Sequence, residues 1–540
     1  MIIERDKIMK LNIKKSRLEI HRTTKEKALE YLEYLPEELK DYQKGVERYK
    51  SKDYSIVDFD LLVNSIELAD VIYLGDFHTF DQSSKNLERL LKILFNKKNE
   101  IILAVEFVHV KNQAYIDDYL NGVITEREFL ESINYKESWR FPWIHYKTFF
   151  ELAKKNNFKI VALNSEGSLL QRDQAAAKVI NSHLSSDFNG HVFVLFGELH
   201  ILPERLPKIT QDLSPTKISQ VIIHQNLEEI YWRIYDENES LASKSNIVQL
   251  SESEFSLQNS PPWIKYESMI YWYENLCDDP EFDLHDYIIE TGMKSFNGNI
   301  YENFFYLCKK LSDTLEFNLQ DEELEDFNIY DHRSLEVILE KINSHGISET
   351  NQLFYEELIH QGEIFNIPST NNYYCSSYSI NRISILSGFH IFNLILNKAT
   401  PPSPPEDLLC YFTYMHYLGY FSSKVFNPFR KCDLYIDLVK KSKGHPEDSW
   451  QTSCIKLLRG ENTTEHIRSL DLLDIFKMGK QTGHIIAELS FYSTTEHNFI
   501  FDKIIDHSIN RKFKITNLIS VINELVSQTP NFYQKTKSLL

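Results

Sequence analysis

Two short segments about 120 residues apart end alike. Val71-Ile-Tyr-Leu-Gly-Asp-Phe-His78 and His191-Val-Phe-Val-Leu-Phe-Gly-Glu-Leu-His200 are both apolar runs that close on Gly, an acid, one apolar residue and His. A third run, Ile101-Ile-Leu-Ala-Val-Glu106, also ends in a carboxylate. Imidazole and carboxylate are the side chains that accept, donate and hold protons near neutral pH, and they are also nitrogen and oxygen ligands for metals. Two imidazoles with up to three carboxylates suit a Zn, Mn or Fe site. They suit equally a general acid and base whose pKa values are tuned by crowded like charges.

For that chemistry the five groups must meet. The runs have the β-branched and aromatic bias of strands, and they are continuous rather than alternating, as in a parallel sheet buried on both faces. Ligands of such sheets bind outside the strands' carboxyl ends. Asp76, His78, Glu106, Glu198 and His200 are therefore expected to converge at one sheet edge. Gly75 and Gly197 there allow a sharp turn or a close approach of backbone to ligand.

Strand candidates are 71–75, 101–107, 159–163, 191–197 and 218–223. Helical periodicity fills 83–96, 112–120, 126–133, 145–156 and 171–184. This alternation predicts an α/β domain with a mostly parallel sheet and flanking helices over residues 66–240. A polar, helical leader precedes it at 1–65. The Ser-, Asn- and Glu-rich run 238–262 reads as a boundary, ended by Pro261-Pro262. Beyond it, amphipathic stretches at 263–277, 284–294, 300–315, 335–344, 352–362, 379–396, 406–421 and 467–490 predict a mainly α-helical C-terminal region. Pro401-Pro-Ser-Pro-Pro405 is expected to divide that region into pieces at 262–400 and 406–540.

The bulk properties narrow the partners. A formal charge of -19 opposes nucleic acid phosphates and anionic lipid heads. The six cysteines (277, 308, 375, 410, 432 and 454) form no CxxC pair and read as reduced thiols. The charged N-terminus has no apolar signal core, and the longest apolar stretch, 383–396, is too short to span a bilayer. A cytoplasmic protein is the expectation.

Other residues have two readings each. His109 either joins the site or starts the next helix. Trp139-Arg-Phe-Pro-Trp143-Ile-His-Tyr146 reads first as a hydrophobic corner and second as an aromatic wall for a flat ligand. Asn164 ends a strand where a ligand-binding residue would sit, although Asn also favours turns. Arg172-Asp173 is either a solvated helix start or a pair aimed at the site, where Arg172 would meet a ligand carboxylate. In the helical half, Tyr373, Tyr374, Cys375, His390, Tyr414, Met415, His416 and Cys432 have no metal or haem spacing and read as core or surface. The basic island 424–432 is too short for nucleic acid. The helical half as a whole is a candidate docking module for a protein partner.

Residues 70–210 resemble the ChaN-like domain of the haem-binding uptake/Tiki superfamily, which also takes in erythromycin-esterase-like and TraB-like proteins. The marks are Leu74-Gly-Asp-Phe-His78, Val105-Glu106, the Trp139, Trp143 and Tyr146 spacing, Val161-Ala-Leu-Asn164, Arg172-Asp173 and Phe196-Gly-Glu-Leu-His-Ile-Leu-Pro203. The resemblance implies haem or iron association for ChaN-like members. For the Tiki and esterase branches it implies hydrolysis of ester or amide substrates. It gives His78, Glu106 and His200 the leading roles, with Asp76 and Glu198 next. This chain departs from the exported ChaN lipoproteins in lacking a signal or lipid-accepting Cys, and in its long C-terminal extension. A haem or small-molecule ligand, or a divalent metal, is the cofactor expectation.

Overall fold

The computed structural model describes residues 2–31, 37–95, 100–184, 188–275, 300–344, 349–446, 449–461, 463–493 and 499–535. The expected helix at 284–294, and Cys277, lie outside them. The chain forms two compact units, residues 24–292 and residues 1–23 with 293–539.

The first unit is α/β. Its sheet contains β1 (Ser55–Val57), β2 (Val71–Asp76), β3 (Glu100–His109), β4 (Lys159–Asn164), β5 (Gly190–Gly197), β6 (Gln220–Gln225), β7 (Asn246–Ser251) and β8 (Glu254–Gln258), in the order β1-β7-β8-β6-β2-β5-β3-β4. β8, β6, β2, β5, β3 and β4 are parallel, and β7 is antiparallel to both β8 and β1. The 238–262 segment, read above as a boundary, thus carries two strands. Their apolar residues are few (Ile247, Val248 and Leu250, then Phe255 and Leu257), so Ser, Asn and Glu dominate the composition.

Strands β2, β3 and β5 read as unbroken apolar runs because helices cover both faces. Ile72, Leu74, Leu103, Val105, Phe193 and Leu195 pack with Leu87, Leu90, Leu91 and Leu94 of helix Asp81–Phe95 and with Phe149 and Phe150 of helix Ile144–Asn156. The alternate residues Val71, Tyr73, Ile102, Ala104, Val192 and Val194 pack on the opposite face with Ala176, Ala177 and Ile180 of helix Leu169–Ser182. β4 forms one sheet edge. There the Gln113 side chain takes the place of a further strand: its amide donates to the Ile160 carbonyl at 3.0 Å and its oxygen accepts from the Ala162 N–H at 2.8 Å. That blunts an edge which would otherwise pair with another chain.

Chain order and spatial order diverge around β2 and β5. The path from β2 to β3 runs to one side, and that from β5 to β6 crosses β2 to the other. This leaves a crevice at their carboxyl ends.

The second unit is mainly helical. Helices Ile380–Ile395, Pro405–Phe426 and Leu472–Ser493 carry its buried centre. Gly388 lets the first two meet closely: a Cβ there would lie 2.7 Å from the Gly419 Cα. The proline run ends in Pro405, which starts its helix, where a missing N–H costs nothing. The stretch expected as one helix over 467–490 is two, Thr464–Ser469 and Leu472–Ser493, because Asp471 caps the second by accepting from the Asp474 N–H at 2.8 Å. Short strands at Asn328–Tyr330, Phe365–Asn366 and Asn372–Tyr374 form a small sheet. Among the described residues no helix is long and apolar enough to cross a membrane.

Candidate functional site

Register fixes how the two repeated strand ends meet. β2 pairs with β5 so that Gly75 faces Phe196 and Asp76 faces Gly197. The two Gly-acid-x-His segments are therefore offset by one residue, and a one-residue offset turns equivalent side chains to opposite faces of a pleated sheet. Asp76 and Glu198 accordingly have different surroundings.

Asp76 faces inward. Its Oδ2 accepts from the Tyr146 hydroxyl at 2.9 Å and lies 3.0 Å from His78 Nδ1. His78 Nε2 then lies 3.8 Å from Glu106 Oε2. On the other side of Glu106, His200 Nε2 lies 3.6 Å from Oε1. His200 Nδ1 is hydrogen-bonded to Asp173, a fully buried carboxylate whose second oxygen has Arg205 Nε at 3.1 Å. The result is a row of alternating acids and imidazoles, Asp76–His78–Glu106–His200–Asp173, drawn from three strands and one helix.

Glu106 is the centre of the row. It accepts from the Gly197 N–H at 2.6 Å and is paired with Arg172, which extends from the first turn of helix Leu169–Ser182. Gly197 is closely approached: a Cβ there would sit tightly, 3.2 Å from Glu106 Oε2, and in ordinary contact at 3.5 Å with each imidazole ring. Burial works against a charged His78. The hydrogen bond and charge of Asp76, with the charge of Glu106, outweigh burial, so the His78 pKa is raised despite the nearby Arg172.

Glu198 turns away from this row. Lys265, from helix Pro262–Asn275, donates to its two oxygens at 2.7 and 3.0 Å, and the Tyr42 hydroxyl donates at 3.0 Å. Burial and the Glu198 carboxylate push the Tyr42 pKa well up.

A cavity of about 680 Å³ lies over the row, within the ~300–1,000 Å³ usual for small-molecule sites. Asp76, His78, Glu106, Arg172, Glu198 and His200 all line it, and so does Asn164 at the end of β4. Its other walls are aromatic. Trp139 and Phe141 pack against His78 with ring centroids at 4.6 and 4.9 Å, and Trp272 stacks on Phe141 at 4.8 Å. A smaller chamber of about 130 Å³ shares Tyr42, Phe77, Glu198 and Met269 with it.

These placements resolve the double readings. Trp139 and Phe141 form an aromatic wall, whereas Trp143 belongs to the hydrophobic corner with Phe129, Tyr135 and Phe150. Arg172 and Asp173 both point at the site. His109 does not: its Nδ1 accepts from the Lys111 N–H at 3.1 Å and caps the next turn. The tempting groups of the helical unit are interior packing residues. Tyr373 bonds His390 at 2.8 Å, Tyr414 bonds His507 at 3.1 Å, and His416 is buried with neither ring nitrogen bonded.

Sequence reasoning missed Tyr42, Met269, Trp272 and Tyr273 at the cavity, Lys265 at the smaller chamber, and the role of Tyr146. They sit on helices with no strand-end signal to mark them. Among the described residues, no three His, Cys, Asp or Glu side chains are placed to share one metal ion.

No curated protein matches the chain. A solved structure described as "Cofacial heme binding to ChaN of Campylobacter jejuni" is similar at 16% identity and a TM-score of 0.28, over 37% of this chain and 92% of that one. The segment that supplies Asp76, His78, Glu106, Trp139, Arg172 and Asp173, residues 62–175, matches the model of the family described as haem-binding uptake, Tiki superfamily, ChaN.

Proposed function

We propose that the α/β unit binds haem in the aromatic-walled cavity, through an imidazole at its polar end. The observation that carries this reading is the pairing of both imidazoles at Nδ1 with a carboxylate, which leaves Nε2 of each beside Glu106. A neutral imidazole tied at one nitrogen is a good ligand at the other. A porphyrin supplies four of iron's ligands, so a single protein nitrogen suffices. A bare Zn or Mn ion needs three or more protein ligands around one point, and that grouping is absent among the described residues. The donor set therefore fits haem better than a bare metal. His78 or His200 would hold the iron, and Trp139, Phe141 and Trp272 would lie along the macrocycle. The family matched over residues 62–175 supports the same reading. The bound group would bring the iron chemistry, and the chain's part is to bind and orient it in the aromatic-walled cavity.

Titration of the purified chain with haemin is expected to give a saturable Soret shift that is lost in whichever of His78→Ala and His200→Ala removes the ligating imidazole. No shift in the unmodified protein would reject the proposal.

A second reading is hydrolysis of an ester or amide with histidine as general base. It is favoured by one feature, the carboxylate on each Nδ1, which orients an imidazole to take a proton at Nε2. Turnover in an esterase and amidase panel without added haem, abolished by His200→Ala, would support it.

A further inference from the structure

Asp173 is fully buried, and one of its oxygens is hydrogen-bonded to His200 Nδ1. Its other oxygen has Arg205 Nε at 3.1 Å. His200 is itself 2% exposed and is held edge-on against Phe196, with ring centroids 4.4 Å apart. Asp173 is its hydrogen-bond partner at Nδ1.

We infer that Asp173 is a positioning residue that locks His200 as the Nδ1–H tautomer, so that its Nε2 lone pair faces the cavity beside Glu106. A carboxylate with a guanidinium beside its other oxygen acts as acceptor, so we assign the proton between the two groups to His200 Nδ1. Arg205 has a separate part: it places a cation beside the Asp173 oxygen that faces away from His200. The arrangement repeats on the other side of Glu106, where Asp76 meets His78 Nδ1. Two carboxylates from different elements thus turn both Nε2 atoms toward Glu106. This deepens the haem-binding proposal, because a ligating or basic Nε2 must be unprotonated, but the tautomer exists whether or not haem binds.

Arg205 makes the inference sharply testable. In Asp173→Asn the amide oxygen is drawn to the Arg205 cation, and the amide NH₂ is left facing His200. An NH₂ donates, so Nδ1 must become the acceptor and the proton must move to Nε2, pointing at Glu106. The whole chain, labelled with ¹⁵N-histidine, is examined by long-range ¹H–¹⁵N correlation, and the His200 signals are assigned by their loss in His200→Gln.

The unmodified protein is expected to show Nδ1 protonated and Nε2 bare. Asp173→Asn should exchange the two, and Asp173→Asn with Arg205→Met, which frees the amide to turn, should restore the original pattern. Haemin affinity should fall at least tenfold in the single variant and recover in the double. A protonated Nε2 in the unmodified protein overturns the inference outright, even if the variants fail to fold. An unchanged tautomer in a folded Asp173→Asn overturns it as well. If the unmodified protein shows the expected tautomer but no haemin shift, the haem proposal falls and this one stands.

Discussion

His78 and His200 share a motif but not an environment, and their replacements should differ. His78 retains a 23% exposed side chain, and the partner it would leave, Asp76, keeps the Tyr146 hydroxyl. His78→Ala is expected to cost under about 1.5 kcal/mol, the scale of one hydrogen bond. His200 is buried against a fully buried Asp173, so its loss strands a carboxylate with Arg205 alone. His200→Ala should cost roughly 3 kcal/mol or more, as breaking a buried pair does. Urea melts of both variants check the order, and a larger loss for His78→Ala would mean the row is ranked wrongly.

Gly197 gives a complementary test. Its added Cβ in Gly197→Ala would press on Glu106 Oε2 and come into ordinary contact with both rings. The expected cost is about 1–3 kcal/mol, the range for overpacking, with haemin binding weakened because Glu106 must shift. A variant that binds haemin as the unmodified protein does would show that the row tolerates displacement.

At the scale of elements, the sheet has one edge guarded by a single side chain. Gln113 satisfies both a carbonyl and an N–H of β4. Gln113→Ala should destabilise the α/β unit by about 1–3 kcal/mol, since backbone groups lose their partner. It should also raise aggregation, because the edge becomes a pairing template. Melts with light scattering read both effects. Behind the site another buried side chain steadies the strand ends: Gln225 donates to the Gly75 carbonyl at 2.5 Å and accepts from Asn86 at 2.8 Å. The turn that presents Asp76 and His78 is thus tied to β6 and to the helix that follows β2.

For the whole molecule, acid is the informative variable. In the helical unit burial lowers the pKa of His390 to about 4 and those of His416 and His484 well below their ordinary value. The unfolded chain takes up these protons near pH ~6.5 while the folded chain does not. Stability is therefore full above that value and falls as pH drops toward 4. In the α/β unit burial alone would raise the Glu254 pKa. Hydrogen bonds and charge from His224, with Lys52 and Tyr49, outweigh it and hold Glu254 at about 2. Its contribution persists above the ordinary 4.5 and is lost only as pH falls from there toward 2. The chain should thus lose stability in two windows, the first due to histidines. His416→Phe keeps the packing against Phe389 and Phe476 and should flatten the slope between pH 6.5 and 4. An unchanged slope in denaturant melts across that range would refute the assignment.

The local pieces are legible in the order of residues. Continuous apolar runs mark strands buried on both faces, a 3.6-residue period marks the helices, and an acid or His just past a strand's last apolar residue marks the carboxyl edge. Asp76, His78, Glu106 and His200 were legible for that reason, as was the change to a helical second half. Tertiary structure alone decided their partners. Asp173 meets His200 across 27 residues of chain, Tyr146 meets Asp76 across 70, and Lys265 reaches Glu198 across 67. Nothing in a local pattern encodes such distances. The same limit explains Glu198: its place in the motif equals that of Asp76, yet a one-residue offset in the β2–β5 register turns it to another face. Periodicity along one strand says which residues share a face, and only pairing with a neighbour says which face looks into the site.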